Sequence, residues 1–124
     1  MEASGLTRET IGAAIEVHRT MGPGLLESVY EECMALELYR RQISYERQIA
    51  VPLAYRGKRL GADLRLDLLV EGQVIVELKA IETILPIHSA QLLTYLRLSQ
   101  RRFGLLINFN VPILKDGIKR MING

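Results

Sequence analysis

Cysteine is almost absent from this chain. Cys33 is the only one in 124 residues, so no intrachain disulfide can form and a disulfide-stapled secreted scaffold is excluded. Histidines number two, and with one thiol they argue against a zinc site. No apolar run approaches ~18 residues, the length a membrane span needs, so no membrane partner is expected. The opening Met1-Glu2-Ala3-Ser4 is acidic and polar, unlike the cationic and then apolar start of a signal peptide. A soluble cytoplasmic protein is the expectation. A surplus of one charge is missing as well. Sixteen Lys and Arg against fourteen Asp and Glu leave +2, which excludes a grossly basic nucleic-acid coat protein. Internal repeats, low-complexity tracts and Pro/Ser-rich linkers are all lacking.

What is present is an ordinary globular mixture, 48% hydrophobic and 24% charged. The length suits one domain, residues 1–124, whose core buries roughly two-thirds of the surface an unfolded chain exposes. From about Thr7 to Met21, Ile11, Ala14, Ile15 and His18 recur at helical spacing, and Gly22-Pro23-Gly24 ends that helix. A second helix is expected from about Leu26 to Arg41, with Leu26, Val29, Tyr30, Cys33 and Met34 on one face. The period then changes to two. Ile49, Val51, Leu53 and Tyr55 form a first strand, in which Pro52 favours an edge or a bulge. Leu64, Leu66, Leu68 and Val70 form a second strand, and Val74, Val76 and Leu78 a third. Pro86 opens a helix to about Gln100, with Leu92, Leu93, Leu96 and Leu98 as apolar surface. Phe103 to Phe109 reads as a buried strand, and Lys115 to Met121 as a final turn or short helix. The order α-α-β-β-β-α-β-α implies an α/β (α+β) domain built on a mixed central sheet flanked by helices.

The turn between the second and third strands decides where three charged side chains lie. A three-residue loop pairs Val70 with Val74, Leu68 with Val76 and Leu66 with Leu78, keeping one face apolar. The same register sets Asp67 opposite Glu77 and Arg65 opposite Lys79. Hydrophobicity alone therefore gathers Asp67, Glu77 and Lys79. Two carboxylates beside an ammonium suit a hard cation such as Mg²⁺, with Lys79 placed to help an attacking water or an anionic transition state. Read from these residues alone, a solvated strand face with cross-strand ion pairs is the commoner explanation.

Asp67, a turn, and then Glu77-Leu78-Lys79 resemble the core of the PD-(D/E)XK nuclease superfamily. A second motif strengthens the likeness. Gly24-Leu25-Leu26-Glu27-Ser28-Val29-Tyr30 reads G-x-x-E-x-x-Y, the signature of the GxxExxY protein family within that superfamily. The resemblance runs from Ala14-Ile15-Glu16-Val17-His18 through Ala90-Gln91-Leu92-Leu93-Thr94-Tyr95-Leu96 and Leu105-Leu106-Ile107-Asn108-Phe109-Asn110 to Gly117-Ile118-Lys119-Arg120. It implies a PD-(D/E)XK nuclease-like fold. It also implies that Asp67, Glu77 and the Leu78 carbonyl are metal ligands and that Lys79 is the catalytic lysine. Glu27 resembles an extra helix-borne acid approaching the metal. Gln91 and Tyr95 resemble a Q-x-x-x-Y pair, whose i, i+4 spacing places both on one helix face. Leu66 stands where the superfamily's name has Pro, which removes a supporting feature and no ligand.

The resemblance thus implies a nuclease using Mg²⁺ or Mn²⁺ to hydrolyse phosphodiester bonds of DNA, in preference to RNA. The alternative is a nucleic-acid-binding or assembly module that keeps the fold without turnover. So small a chain has little surface for both a site and sequence reading, and a homodimer or a protein partner supplying specificity is a reasonable expectation. Tyr30 is expected in the core with its hydroxyl bonded, His18 as a packed core histidine, and His88 at a helix start. The charge is strongly segregated: −5 over residues 1–39, +5 over 40–59, −3 over 60–96 and +5 over 97–124. Two basic blocks thus flank the acids, and twelve of the sixteen basic residues are Arg, which binds phosphate oxygens bidentately.

Overall fold

In a computed structural model describing residues 1–124, the strands lie side by side in chain order, β1-β2-β3-β4-β5. They are β1 Tyr45–Tyr55, β2 Lys58–Val70, β3 Val74–Lys79, β4 Phe103–Asn108 and β5 Ile118–Ile122. All neighbours are antiparallel except β3 and β4, which are parallel. A parallel pair needs a long crossover, and α3, Pro86–Leu98, supplies it. Helices α1, Ala3–Met21, and α2, Glu27–Arg40, precede the sheet and cover its other face.

The apolar positions sort into two cores. On the α1–α2 side, Leu6, Ala13, Tyr30, Met34 and Leu38 pack against Leu68, Val76, Leu78, Leu105 and Ile107. On the α3 side, Leu92 and Leu96 pack against Leu64, Leu66, Leu69, Ile75 and Leu106. Gly104 lets α3 approach closely, since a Cβ there would sit 3.2 Å from methyls of Leu92 and Leu96. Leu26 lies outside α2 and is exposed, as is Leu98, so neither joins the apolar face expected of it.

The final element departs from the helical expectation. Leu114–Gly117 is one 3₁₀ turn, and Ile118–Ile122 is a strand antiparallel to β4. The correction has a nonlocal cause. Ile118 and Met121 pack against opposite cores while the backbone pairs with β4, an interaction that local spacing does not register.

The central hairpin takes the expected register: Val70 faces Val74, Leu69 faces Ile75 and Leu68 faces Val76 across a three-residue loop. Left-handed φ values of 53° at Glu71 and 67° at Gly72 make that loop tight. The expected single apolar face does not continue. Leu68 and Val70 belong to the α1–α2 core, whereas Leu64 and Leu66 belong to the α3 core. Leu66 and Leu68 should share a face, so the strand rotates between them, at Asp67. β1 rotates in step. Tyr45 packs on the α1–α2 side, Ile49, Val51 and Leu53 on the α3 side, and Gln48 between them has φ 50°. Past this point the β1–β2 ribbon has no β3 beside it, and its inward face joins the core that holds Leu92 and Leu96. Pro52 occupies an edge strand and also adjoins a slip in register, between Pro52 and Ala54.

Candidate active site

The candidate side chains gather where β2 and β3 part. The backbone ladder between these strands ends at Leu68 and Val76. One step further, the carboxylates replace it. The Asp67 N–H donates to Glu77 Oε2 at 2.9 Å, and the Leu78 N–H donates to Asp67 Oδ2, also at 2.9 Å. Each acid is thus held by the backbone of the opposite strand. The expected pairing of Asp67 with Glu77 survives in this side-chain form, while the pairs Leu66–Leu78 and Arg65–Lys79 do not form a ladder.

This clamp occupies one oxygen of each carboxylate. Glu77 Oε1 has no hydrogen bond, and Asp67 Oδ1 receives only a long 3.5 Å contact from Gln48 Nε2. Burial is the largest influence on both acids. It raises Asp67 above the usual carboxylate range, helped by the charges of Glu31 and Glu27 and opposed by the Leu78 N–H and Lys79. Glu77, 7% exposed, is pushed up to about 8 by burial first and the Asp67 charge second. A buried like-charged pair cannot ionise fully on its own.

Helix α3 brings the two other expected residues alongside. Tyr95 has its phenol raised by burial and then by the charges of Glu77 and Asp67, which places it in their field. Gln91, one turn earlier, is exposed and lines an open cleft with Lys79, Ile87, His88, Ala90 and Thr94. Lys79 is half-buried and forms no salt bridge, leaving its ammonium available to an anion. His88 closes the start of α3: its Nδ1 accepts from the Leu85 N–H at 2.8 Å, and its own N–H donates to the Leu85 carbonyl at 2.9 Å.

Glu27 begins α2 and is exposed, with no hydrogen bond or ion pair of its own. Its charge nevertheless reaches Asp67 and Glu77. The turn before it is fixed by Tyr30, whose hydroxyl donates to the Gly22 carbonyl at 2.5 Å and accepts from the Leu25 N–H at 3.1 Å. The Tyr30 ring stacks on Phe109, with centroids 4.3 Å apart. Tyr30 is therefore the core residue expected of it, and so is His18, whose Nε2 meets the Val111 carbonyl at 2.8 Å.

Two residues escaped the sequence reading. Glu31, one helical turn after Glu27, pairs with Arg47 at 3.1 Å and accepts from Gln48 Nε2 at 2.6 Å. Its charge acts on Asp67 ahead of that of Glu27. The i, i+4 spacing from Glu27 was the available signal. Asn108, 2% exposed, is the β4 partner of Lys79. Its amide donates to the Ile81 carbonyl at 2.9 Å and accepts from the N–H groups of Ile81 at 3.1 Å and Asn110 at 3.2 Å. That side chain fixes the chain immediately after the lysine, and no sequence pattern announces it.

Hard oxygen donors define what the site can hold. Two carboxylates each offer an uncommitted oxygen. The Leu78 carbonyl lies on the β3 edge that its N–H shares with Asp67, since both groups of a strand residue point the same way. No third Asp, Glu, His or Cys joins them as a metal cluster. This donor set fits Mg²⁺ or Mn²⁺, which accept one or two carboxylates and fill the remaining positions with water and phosphate. A separate groove of about 250 Å³ between α1 and α2, lined by Val17, Met21, Cys33 and Leu36 among others, contains none of these residues.

A mixed sheet that presents paired acids and a lysine where two strands diverge defines a class of hydrolytic, nuclease-like domain. A sequence profile of the PD-(D/E)XK nuclease superfamily matches residues 4–121, and the chain belongs to that superfamily. No curated protein and no solved structure matches it significantly. Superfamily members generally use divalent metals and act on nucleic acid, in keeping with the donor set described. No helix is long and apolar enough to cross a membrane.

Proposed function

We propose that this chain hydrolyses phosphodiester bonds of DNA with the help of Mg²⁺ or Mn²⁺. The observation that carries the reading is the reciprocal clamp, in which the opposing backbone fixes one oxygen of each carboxylate, leaving Glu77 Oε1 without a partner and Asp67 Oδ1 with only a long contact from Gln48. Asp67, Glu77 and the Leu78 carbonyl would hold the cation. When bound, it supplies charge neutralisation at the scissile phosphate. Lys79 orients the attacking water and stabilises the anionic phosphorus centre as the bond to the leaving sugar oxygen breaks. Gln91 and Tyr95 offer an amide and a phenol to water or phosphate from one face of α3. Glu27 adds negative charge from α2. The intact G-x-x-E-x-x-Y run from Gly24 to Tyr30 supports a place in the GxxExxY branch.

Nicking of supercoiled plasmid in Mg²⁺ or Mn²⁺ tests this directly. Lys79→Ala is expected to lose at least about a hundredfold in rate, the scale of a group acting on transition-state charge. Equal cleavage by wild type and Lys79→Ala would refute the mechanism. The second reading is a binding module that keeps the fold without turnover. Calorimetric titration with Mn²⁺ separates the two readings. Nuclease chemistry requires binding that Asp67→Ala abolishes, whereas no binding, or binding indifferent to that change, favours the module.

A further inference from the structure

The β1–β2 ribbon extends past β3 at the acid pair and carries a net positive charge. Between residues 49 and 66 it has Arg56, Lys58, Arg59 and Arg65 against a single acid, Asp63. Asp63 is committed to Arg59 at 3.0 Å. Arg56 and Lys58, at the tip, have no counter-ion, and Arg56 lies over the Tyr55 ring. One face of the ribbon root is anchored, because Ile49, Val51, Leu53, Leu64 and Leu66 belong to the core that also holds Leu92 and Leu96. The opposite face, with Ala50, Pro52 and Arg65, is exposed, and so is every residue from Ala54 to Asp63.

Local geometry stiffens the tip. Arg56 and Gly57 form a two-residue turn, with φ values of 51° and 81°. Positive φ at both positions is the turn that matches the natural twist of a hairpin. Arg65 fastens the root by donating to the Gln48 carbonyl at 2.8 Å, beside Asp67. Four of the ten residues of the free part, Ala54, Gly57, Gly61 and Ala62, are small and add little to its thickness. From Lys58 to Asp67 the strand reaches about 30 Å, at about 3.3 Å per residue. Measured along B-form DNA, that is about nine base pairs.

We propose that this ribbon is the arm by which the protein grips double-stranded DNA, its basic tip lying in the major groove and on the flanking phosphates about nine base pairs from the bond held at Asp67 and Glu77. The proposal rests on the nuclease reading for its placement of the scissile bond. The occupant follows from charge and shape. Unpaired guanidinium and ammonium groups call for phosphate, and a thin two-stranded ribbon fits a groove about 12 Å wide. The major groove of A-form RNA is too narrow and deep to admit it.

The test measures binding apart from chemistry. A labelled 30-base-pair DNA duplex is titrated in EDTA, at several salt concentrations, with wild type and with Arg56→Ser/Lys58→Ser. Both side chains are exposed and lie outside the clamp, so the melting curve should be unchanged. Affinity is expected to fall about tenfold or more at 0.1 M salt, and the slope of log K against log salt to become shallower by about 1.8, or 0.9 per phosphate contact. Ala62→Glu should weaken binding in the same direction. Hydrolysis of bis(p-nitrophenyl) phosphate with Mn²⁺, which needs no arm, should be unaffected by either change. Unchanged affinity and slope would overturn the proposal. So would an equal loss on single-stranded DNA or duplex RNA, or failure of wild type to bind the duplex. If tip-dependent duplex binding persists but wild type hydrolyses neither the small diester nor plasmid, the arm stands and the nuclease reading falls.

Discussion

Replacing Glu77 by Gln removes a charge while keeping an oxygen that can accept from the Asp67 N–H, so it isolates the cost of ionising a buried acid. Glu77 is held at about 8 against an ordinary 4.5. Between those two values the folded protein retains a proton that the unfolded chain has released, so wild-type stability must fall as pH rises through the window. Asp67, also raised, contributes in the same direction. At 1.36 kcal/mol per unit, the Glu77 shift sets a ceiling of about 5 kcal/mol. Relaxation and water entry at the splayed strands lower the expected value to about 2–3 kcal/mol, because buried acids in proteins behave as if in a medium of dielectric about 20. Urea unfolding in EDTA at pH 5 and pH 8.5 reads this out. Glu77→Gln should match wild type closely at pH 5 and exceed it by about 2–3 kcal/mol at pH 8.5, while losing Mn²⁺ binding. Mn²⁺ should raise wild-type stability at pH 8.5, since the cation takes the place of the retained proton. If the two proteins show the same pH dependence, or if wild type gains stability between pH 5 and 8, the buried-pair reasoning is wrong.

Asn108→Ala leaves the half-buried Ile81 N–H and carbonyl without their amide partner. It should cost about 2–4 kcal/mol in urea unfolding, and diester hydrolysis at temperatures where the fold persists should drop as well, since the chain beyond Lys79 loosens. Tyr30→Phe keeps the stack on Phe109 but loses both hydroxyl bonds to the Gly22–Leu25 turn. A stability loss of about 1–2 kcal/mol is expected by thermal unfolding. If Glu27 serves the site, nicking should fall further in this variant than in an equally destabilised core mutant distant from the turn.

Much of the site could be read because short-range rules fix it. The alternation of Leu68, Val70, Val74 and Val76 demands one register, and that register brings Asp67 level with Glu77. Pro52 marks an edge because it lacks an N–H, and the outer strand is where it lies. The rotation at Asp67 was hidden, since Leu64 to Val70 alternates without interruption in the sequence. Only the competition of two helical faces for leucines, with Leu92 and Leu96 on one side and Met34 and Leu38 on the other, divides that run. β5 was missed for a related reason. Ile118 and Met121 are spaced as on a helix, and pairing with Ile107 and Gly104, distant in sequence, makes the segment a strand. Asn108 is invisible in sequence because its main partner, the Ile81 backbone, lies in another loop.

The outer strand carries three interruptions in eleven residues: the left-handed Gln48, the donorless Pro52 and the slip before Ala54. A strand so broken offers an incoming chain no continuous row of donors and acceptors. The far edge, β5, is five residues long and displays Lys119 and Arg120 to solvent, whose like charges oppose its counterpart on another molecule. Both margins of the sheet are therefore poor templates for amyloid-like growth.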